Sequence, residues 1–137
     1  GFGRFMEMAE VAFLDRSNSA KAVDALKPAV DRLKSGLSVC IAPEGTRSWT
    51  PKLGPFKKGP FHLAKQAGVP IVPVVLRNSG EIMGRNDQTM RGGTLQVAVL
   101  PPIDVSSWKV AEMADRIEEV RQRYIDTLEN WPTNKEK

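Results

Sequence analysis

LSVCIAPEGTRS, residues 37–48, changes character at its midpoint. Leu37 to Ala42 reads as a buried-type strand, a short apolar run with β-branched Val39 and Ile41. Pro43 to Ser48 then carries a carboxylate, a glycine, a hydroxyl, a guanidinium and a second hydroxyl. A loop of that mixture at a strand end suits an anion. Arg47 offers a rigid fork of donors matched to phosphate. Gly45 lets the backbone turn tightly and come close to a ligand, and Thr46 and Ser48 add hydroxyls. Glu44 has two readings, as salt-bridge partner of Arg47 or Arg16, or as acceptor for a substrate hydroxyl. Spacing leaves both open. The Gly-x-x-x-x-Gly-Lys-Ser/Thr spacing of a P-loop is absent.

Working outward, Val11 to Leu14 is a short apolar run ending in Asp15-Arg16, a second strand end. Ser17-Asn18-Ser19 offers helix caps, after which Val23, Leu26, Val30 and Leu33 recur at helical spacing until Gly36. Pro28 predicts a kink or break in that helix. Pro43 to Gly59 reads as loop, Pro60 to Gln66 as a short helix ended by Gly68, and Pro70 to Leu76 and Thr94 to Leu100 as strands. Ser79 to Gly92 is polar and irregular. A last helix, capped by Ser106 or Ser107, presents Val110, Met113, Ala114, Ile117, Val120, Tyr124 and Leu128 as its apolar face. Alternation of strands and helices predicts an α/β fold with a largely parallel central sheet and flanking helices. Such sheets gather ligands outside the carboxyl ends of their strands, which would bring Arg16 and Arg47 to one edge. Residues 1–131 read as one domain and 132–137 as a polar tail.

The chain has 137 residues, 41% hydrophobic and 26% charged, the composition of a globular domain. No apolar run reaches the ~18 residues of a membrane span, and no signal peptide is visible. It begins with Gly1, which leaves room for a longer protein with an upstream domain. One cysteine excludes an intrachain disulfide. Cys40, inside the apolar run, is expected in the core. With His62 the single histidine, a zinc site is not expected. The net charge of +4 is concentrated. Between Glu44 and Lys65, five cations (Arg47, Lys52, Lys57, Lys58, Lys65) stand against Glu44 alone, and such a patch attracts phosphate or an anionic surface. Nucleic-acid binding is not expected, since the patch has few aromatics and no reader motif.

Pro43-Glu44-Gly45-Thr46-Arg47-Ser48 resembles the central motif of the phospholipid/glycerol acyltransferase family, of the 1-acylglycerol-3-phosphate acyltransferase type. Phe13-Leu14-Asp15-Arg16 resembles the motif before it, Phe56-Lys57-Lys58-Gly59 the lysine-glycine segment after it, and Val69 to Val74 the final valine-proline motif. Four motifs in order cover roughly residues 2–104. Glu10 departs from the pattern, standing where the first motif usually has glycine.

The resemblance implies transfer of a fatty acyl group, from acyl-CoA or acyl carrier protein, to the free hydroxyl of lysophosphatidate, with no further cofactor. It implies that Arg16, Glu44, Gly45, Thr46 and Arg47 bind the acceptor phosphate, supported by Phe13, Ser48, Lys57, Lys58 and Gly59. It implies a lysophospholipid acceptor as partner and work at the cytoplasmic face of a membrane. The family's base motif, His-x-x-x-x-Asp, has no counterpart in this sequence, since five positions after His62 stands Ala67. The expectation is therefore the C-terminal part of an acyltransferase domain with no catalytic residue of its own and no turnover alone. The competing reading is a non-catalytic module that binds lysophospholipid or phospholipid.

Overall fold

The computed structural model of the chain describes residues 22–46, 50, 52–83 and 89–133. It has two compact units, Gly1–Cys40 and Ile41–Lys137. In the first, helix α1 spans Ala22–Lys34. Leu26, Ala29 and Val30 form its buried stripe, the i, i+3, i+4 pattern of an amphipathic helix. The helix runs unbroken through Pro28, where a kink or a break was predicted. Pro28 lies on the exposed side, where water can satisfy the carbonyl that the missing N–H leaves free. Gly36 ends the helix at φ +90°. Leu37 N donates to the Arg32 carbonyl and Gly36 N to that of Leu33, at 3.1 Å each, the paired bonds of a Schellman cap.

Leu37 to Ala42 corrects an expectation. Among the described residues it pairs with no strand. Leu37 is 51% exposed and Cys40 is exposed, not in the core. Apolar composition records a capacity for burial, and a central strand also needs ladder partners. The described residues supply none.

In the second unit, helix α2 (Gly59–Ala67), strand β1 (Val74–Leu76), the short helix α3 (Ser79–Ile82), strand β2 (Val97–Val99) and helix α4 (Met113–Glu129) follow in order. Pro60 opens α2 and Gly68 closes it at φ +69°, as the sequence suggests. The two strands pair antiparallel, Val74 with Val99 and Leu76 with Val97, where a largely parallel sheet was predicted. Alternating apolar residues show which face is buried but not which way the neighbouring strand runs.

Past the strands, Leu100 N donates to the Pro73 carbonyl, and Ile71 and Ile103 exchange both backbone bonds. Val72 thus faces two residues, Pro101 and Pro102, the residue count of a β-bulge. One extra residue inverts the alternation of side chains. Ala98 points inward before the bulge, and Ile103 and Val105 point inward after it.

The core of this unit joins Phe56, Phe61, Ala64, Ile103, Val105, Trp108, Met113, Ile117 and Val120. Phe61 stacks between Phe56 and Trp108, at centroid distances of 6.4 and 6.1 Å. On α4, Met113, Ile117 and Val120 are buried as predicted, but Val110 is 70% exposed and Ala114 is exposed. Val110 belongs to a 3₁₀ turn, Val110–Glu112, that precedes the helix. Its different pitch takes Val110 off the stripe. Neither Ser106 nor Ser107 caps α4, whose N-cap position is Glu112 with no side-chain cap bond. The Ser106 N–H donates to Asp104 Oδ1 at 2.9 Å.

Candidate phosphate-binding site

The polar half of the opening stretch begins with a tight turn. Gly45 N donates to the Ala42 carbonyl at 3.0 Å. Pro43 and the glycine three residues after Ala42 occupy the positions that a type I turn favours for each. Gly45 has φ +71°, a conformation that glycine adopts without steric cost. A Cβ there would lie 3.4 Å from Lys57 Cγ, so the lysine stem passes directly over the glycine.

A hydrogen bond joins these two segments, from Lys57 N to the Pro43 carbonyl at 2.8 Å. Phe56 fixes the height of this contact. Its ring is buried and meets the Tyr124 ring edge-on at 5.1 Å. Lys57 and Lys58, next along the chain, are exposed, and Gly59 begins α2. The aromatic ring thus anchors the segment while the two ammonium groups remain in water beside the turn.

Glu44 takes a partner that the sequence did not suggest. Its Oε2 accepts the Gly54 N–H at 2.8 Å, and a Cβ on Gly54 would approach that oxygen to 3.0 Å. The carboxylate thus spans ten residues of chain and fixes the middle of the loop. Arg121 of α4 holds the same place from the other side. Its Nε donates to the Gly54 carbonyl and its Nη2 to the Leu53 carbonyl, both at 2.9 Å. Its Nη1 meets Glu118 Oε1 at 2.7 Å. The apolar face read from the sequence, Val110 to Leu128 at helical spacing, leaves Arg121 outside it. The only hint was its place directly after Val120, at the border of the apolar stripe.

The structure therefore gathers Glu44, Gly45, Lys57, Lys58 and Gly59, with the exposed Thr46 beside Gly45. Phe13, Arg16, Arg47 and Ser48 lie outside the described residues. His62 sits within α2. Among the described residues no three His, Cys, Asp or Glu side chains stand close enough to share a metal ion, and no helix is long and apolar enough to cross a membrane. A groove lined by Arg77, Thr94, Leu95, Gln96, Val97 and Trp131 includes none of the turn's residues.

The sequence pattern of the family described as Acyltransferase matches residues 1–77. The 1-acyl-sn-glycerol-3-phosphate acyltransferase of Saccharomyces cerevisiae is 37% identical over 92% of this chain and 43% of its own length. The enzyme of that name from Cocos nucifera is 35% identical over 93% of this chain and 42% of its own. This chain thus spans less than half the length of these relatives. Its fold is similar to the crystal structure of the 1-acyl-sn-glycerophosphate (LPA) acyltransferase, PlsC, from Thermotoga maritima. The TM-score is 0.73 and the identity 26%, over 97% of this chain and 53% of that one. The joined turn and lysine segment lie within a chain whose first 77 residues carry the family pattern, and the chain belongs to the acyltransferase family.

Proposed function

We propose that this chain supplies the acceptor-phosphate part of an enzyme that moves a fatty acyl group from acyl-CoA or acyl carrier protein to the free hydroxyl of lysophosphatidate. The observation that carries this reading is the seating of Gly45 under the Lys57 stem. It joins the two motifs whose backbone and cations suit a phosphate monoester. The names of the relatives agree with it. In this reaction the acceptor oxygen attacks the thioester carbonyl, its proton passes to a base, and the thiolate leaves and is protonated. No cofactor enters the balance.

In this reading Gly45 and Thr46 lie nearest the phosphate, Lys57 and Lys58 supply positive field, and Arg16 and Arg47 grip the anion. Glu44 keeps the turn in place. Phe13, Ser48 and Gly59 support it. The largely parallel sheet belongs to this proposal for the whole domain, as does work at the cytoplasmic face of a membrane. The exposed lysines fit an anionic surface.

General-base catalysis contributes about 10²–10⁴-fold, and this sequence holds no His-x-x-x-x-Asp. The 137-residue chain should bind acceptor without turning it over. The test titrates a soluble short-chain 1-acylglycerol 3-phosphate, and the 1-acylglycerol lacking phosphate, into the chain by calorimetry. A parallel assay adds acyl-CoA. Binding that depends on the phosphate, without product, is expected. Equal binding of both lipids overturns the phosphate site, and rapid product formation overturns the assignment of the base.

A further inference from the structure

We propose that Arg121 is a positioning residue of this site, acting on Glu44 through a single peptide group. The inference rests on the phosphate reading of the turn. The carbonyl of the Leu53–Gly54 peptide accepts from Arg121 Nη2 at 2.9 Å. The N–H of that same peptide donates to Glu44 Oε2 at 2.8 Å. A cation at the oxygen end and an anion at the hydrogen end polarise the peptide in the same sense, and hydrogen bonds in such a chain strengthen one another. The two side chains therefore form an ion pair with a peptide between them.

The geometry excludes a loosely held arginine. Nε adds a bond to the next carbonyl, that of Gly54, so the planar fork grips two successive carbonyls. Glu118 holds the remaining edge. The Arg121 side chain is 23% exposed, against 62% for Glu118, so the fork is sheltered by the loop it holds. A lysine has a single donor head and cannot span both carbonyls in this way. Through this relay α4 sets where the Glu44 carboxylate sits, and Glu44 belongs to the turn that positions Gly45 under Lys57. Arg121 touches no ligand in this scheme. Its effect reaches the anion through the backbone of the loop.

The experiment uses the short-chain 1-acylglycerol 3-phosphate as probe, with the unmodified chain, R121K, R121M, E44Q and the double variant E44Q/R121M. The Gly54 amide resonance is followed in each by proton–nitrogen NMR. Loss of a charge-assisted hydrogen bond is expected to weaken probe binding about tenfold in R121M. R121K should fall between, and the Gly54 amide should move upfield in both. The double variant should bind about as weakly as the weaker single one, because both substitutions act on one relay.

R121M binding as tightly as the unmodified chain, with the Gly54 amide unmoved, overturns the inference and leaves the phosphate reading standing. Losses that simply add in the double variant overturn it too, since independent packing roles give additivity. If the unmodified chain fails to bind the probe, the phosphate reading falls. The Gly54 amide then decides alone: movement in R121M supports the tie to Glu44, and a fixed resonance overturns it. Should R121M melt, G54A tests the same relay with Arg121 intact, because its Cβ crowds Glu44 Oε2. The same weakened binding is expected of it, and unchanged binding overturns the relay.

Discussion

The loop from Leu53 to Gly59 has no regular structure until its last residue, whereas Val74–Leu76 and Val97–Val99 form a regular strand pair. The loop is nevertheless the more fully tied. The Gly54 amide, the carbonyls of Leu53 and Gly54 and the Lys57 amide each have a partner from another segment, and Phe56 is buried in the core. The strand pair is covered on one side only. Val75 and Ala98 are buried, while Val74, Leu76, Val97 and Val99 are 44% to 66% exposed. Regularity satisfies backbone groups locally. An irregular loop has no ladder of its own, so groups from elsewhere must satisfy it.

The largest effect is expected from removing the loop's anchor. Phe56→Ala should cost about 3–5 kcal/mol, read as a lowered denaturant midpoint at unchanged slope. A loss below about 0.5 kcal/mol, within the range of ordinary surface substitutions, would mean that the loop does not depend on the core. The two faces of the strand pair test its other half. Val75→Thr buries a hydroxyl without an obvious partner and should cost about 1–3 kcal/mol. Val99→Thr should stay within about 0.5 kcal/mol. Equal costs at the two positions would show that the outer face is covered in solution.

Glu44 probes the loop's polar ties. Glu44→Ala leaves the Gly54 amide without its acceptor and should cost about 1–2 kcal/mol. Glu44→Gln retains an oxygen and should cost less, with probe affinity lost in the same order. Equal loss of affinity in the two folded variants would make the charge itself the requirement.

The smallest effect is expected at Asp104. The Ser106 backbone N–H, then the Ser106 side chain, hold its carboxyl below the ordinary 3.8. A folded-state value depressed in this way adds stability above pH 3.8, which is lost as pH falls through the depressed value. Acid titration of unfolding should therefore be slightly shallower in Asp104→Asn. An identical profile would show that the Ser106 contacts have no bearing on acid stability.

These regions also differ in how much of them could be read beforehand. Gly36 and Gly68 marked the ends of their helices because a left-handed cap has a local signature. The stripe Met113, Ile117, Val120 was equally legible from its period. Strand direction was not, since the pairing of Val74 with Val99 depends on a segment more than twenty residues away. Trp108 gave no periodic signal and entered the core through stacking on Phe61. In the site, the contents of the turn and the lysine segment were plain from composition and motif. The Arg121 bonds were hidden, because their acceptors are carbonyls 67 and 68 residues earlier in the chain. A carbonyl has no residue type by which to be recognised.

The two prolines opposite Val72 have a consequence for how this chain can vary. Identity matters little there, since any pair of residues able to leave the ladder restores the inward positions of Ile103 and Val105. Number matters a great deal. Deleting either proline would put the strand back into unbroken alternation and turn both side chains toward water, exchanging the two faces of everything between the bulge and Trp108. Residues 101–102 thus act as a spacer whose length sets the register while its letters are comparatively free, and relatives should tolerate replacement at this point more readily than a gap.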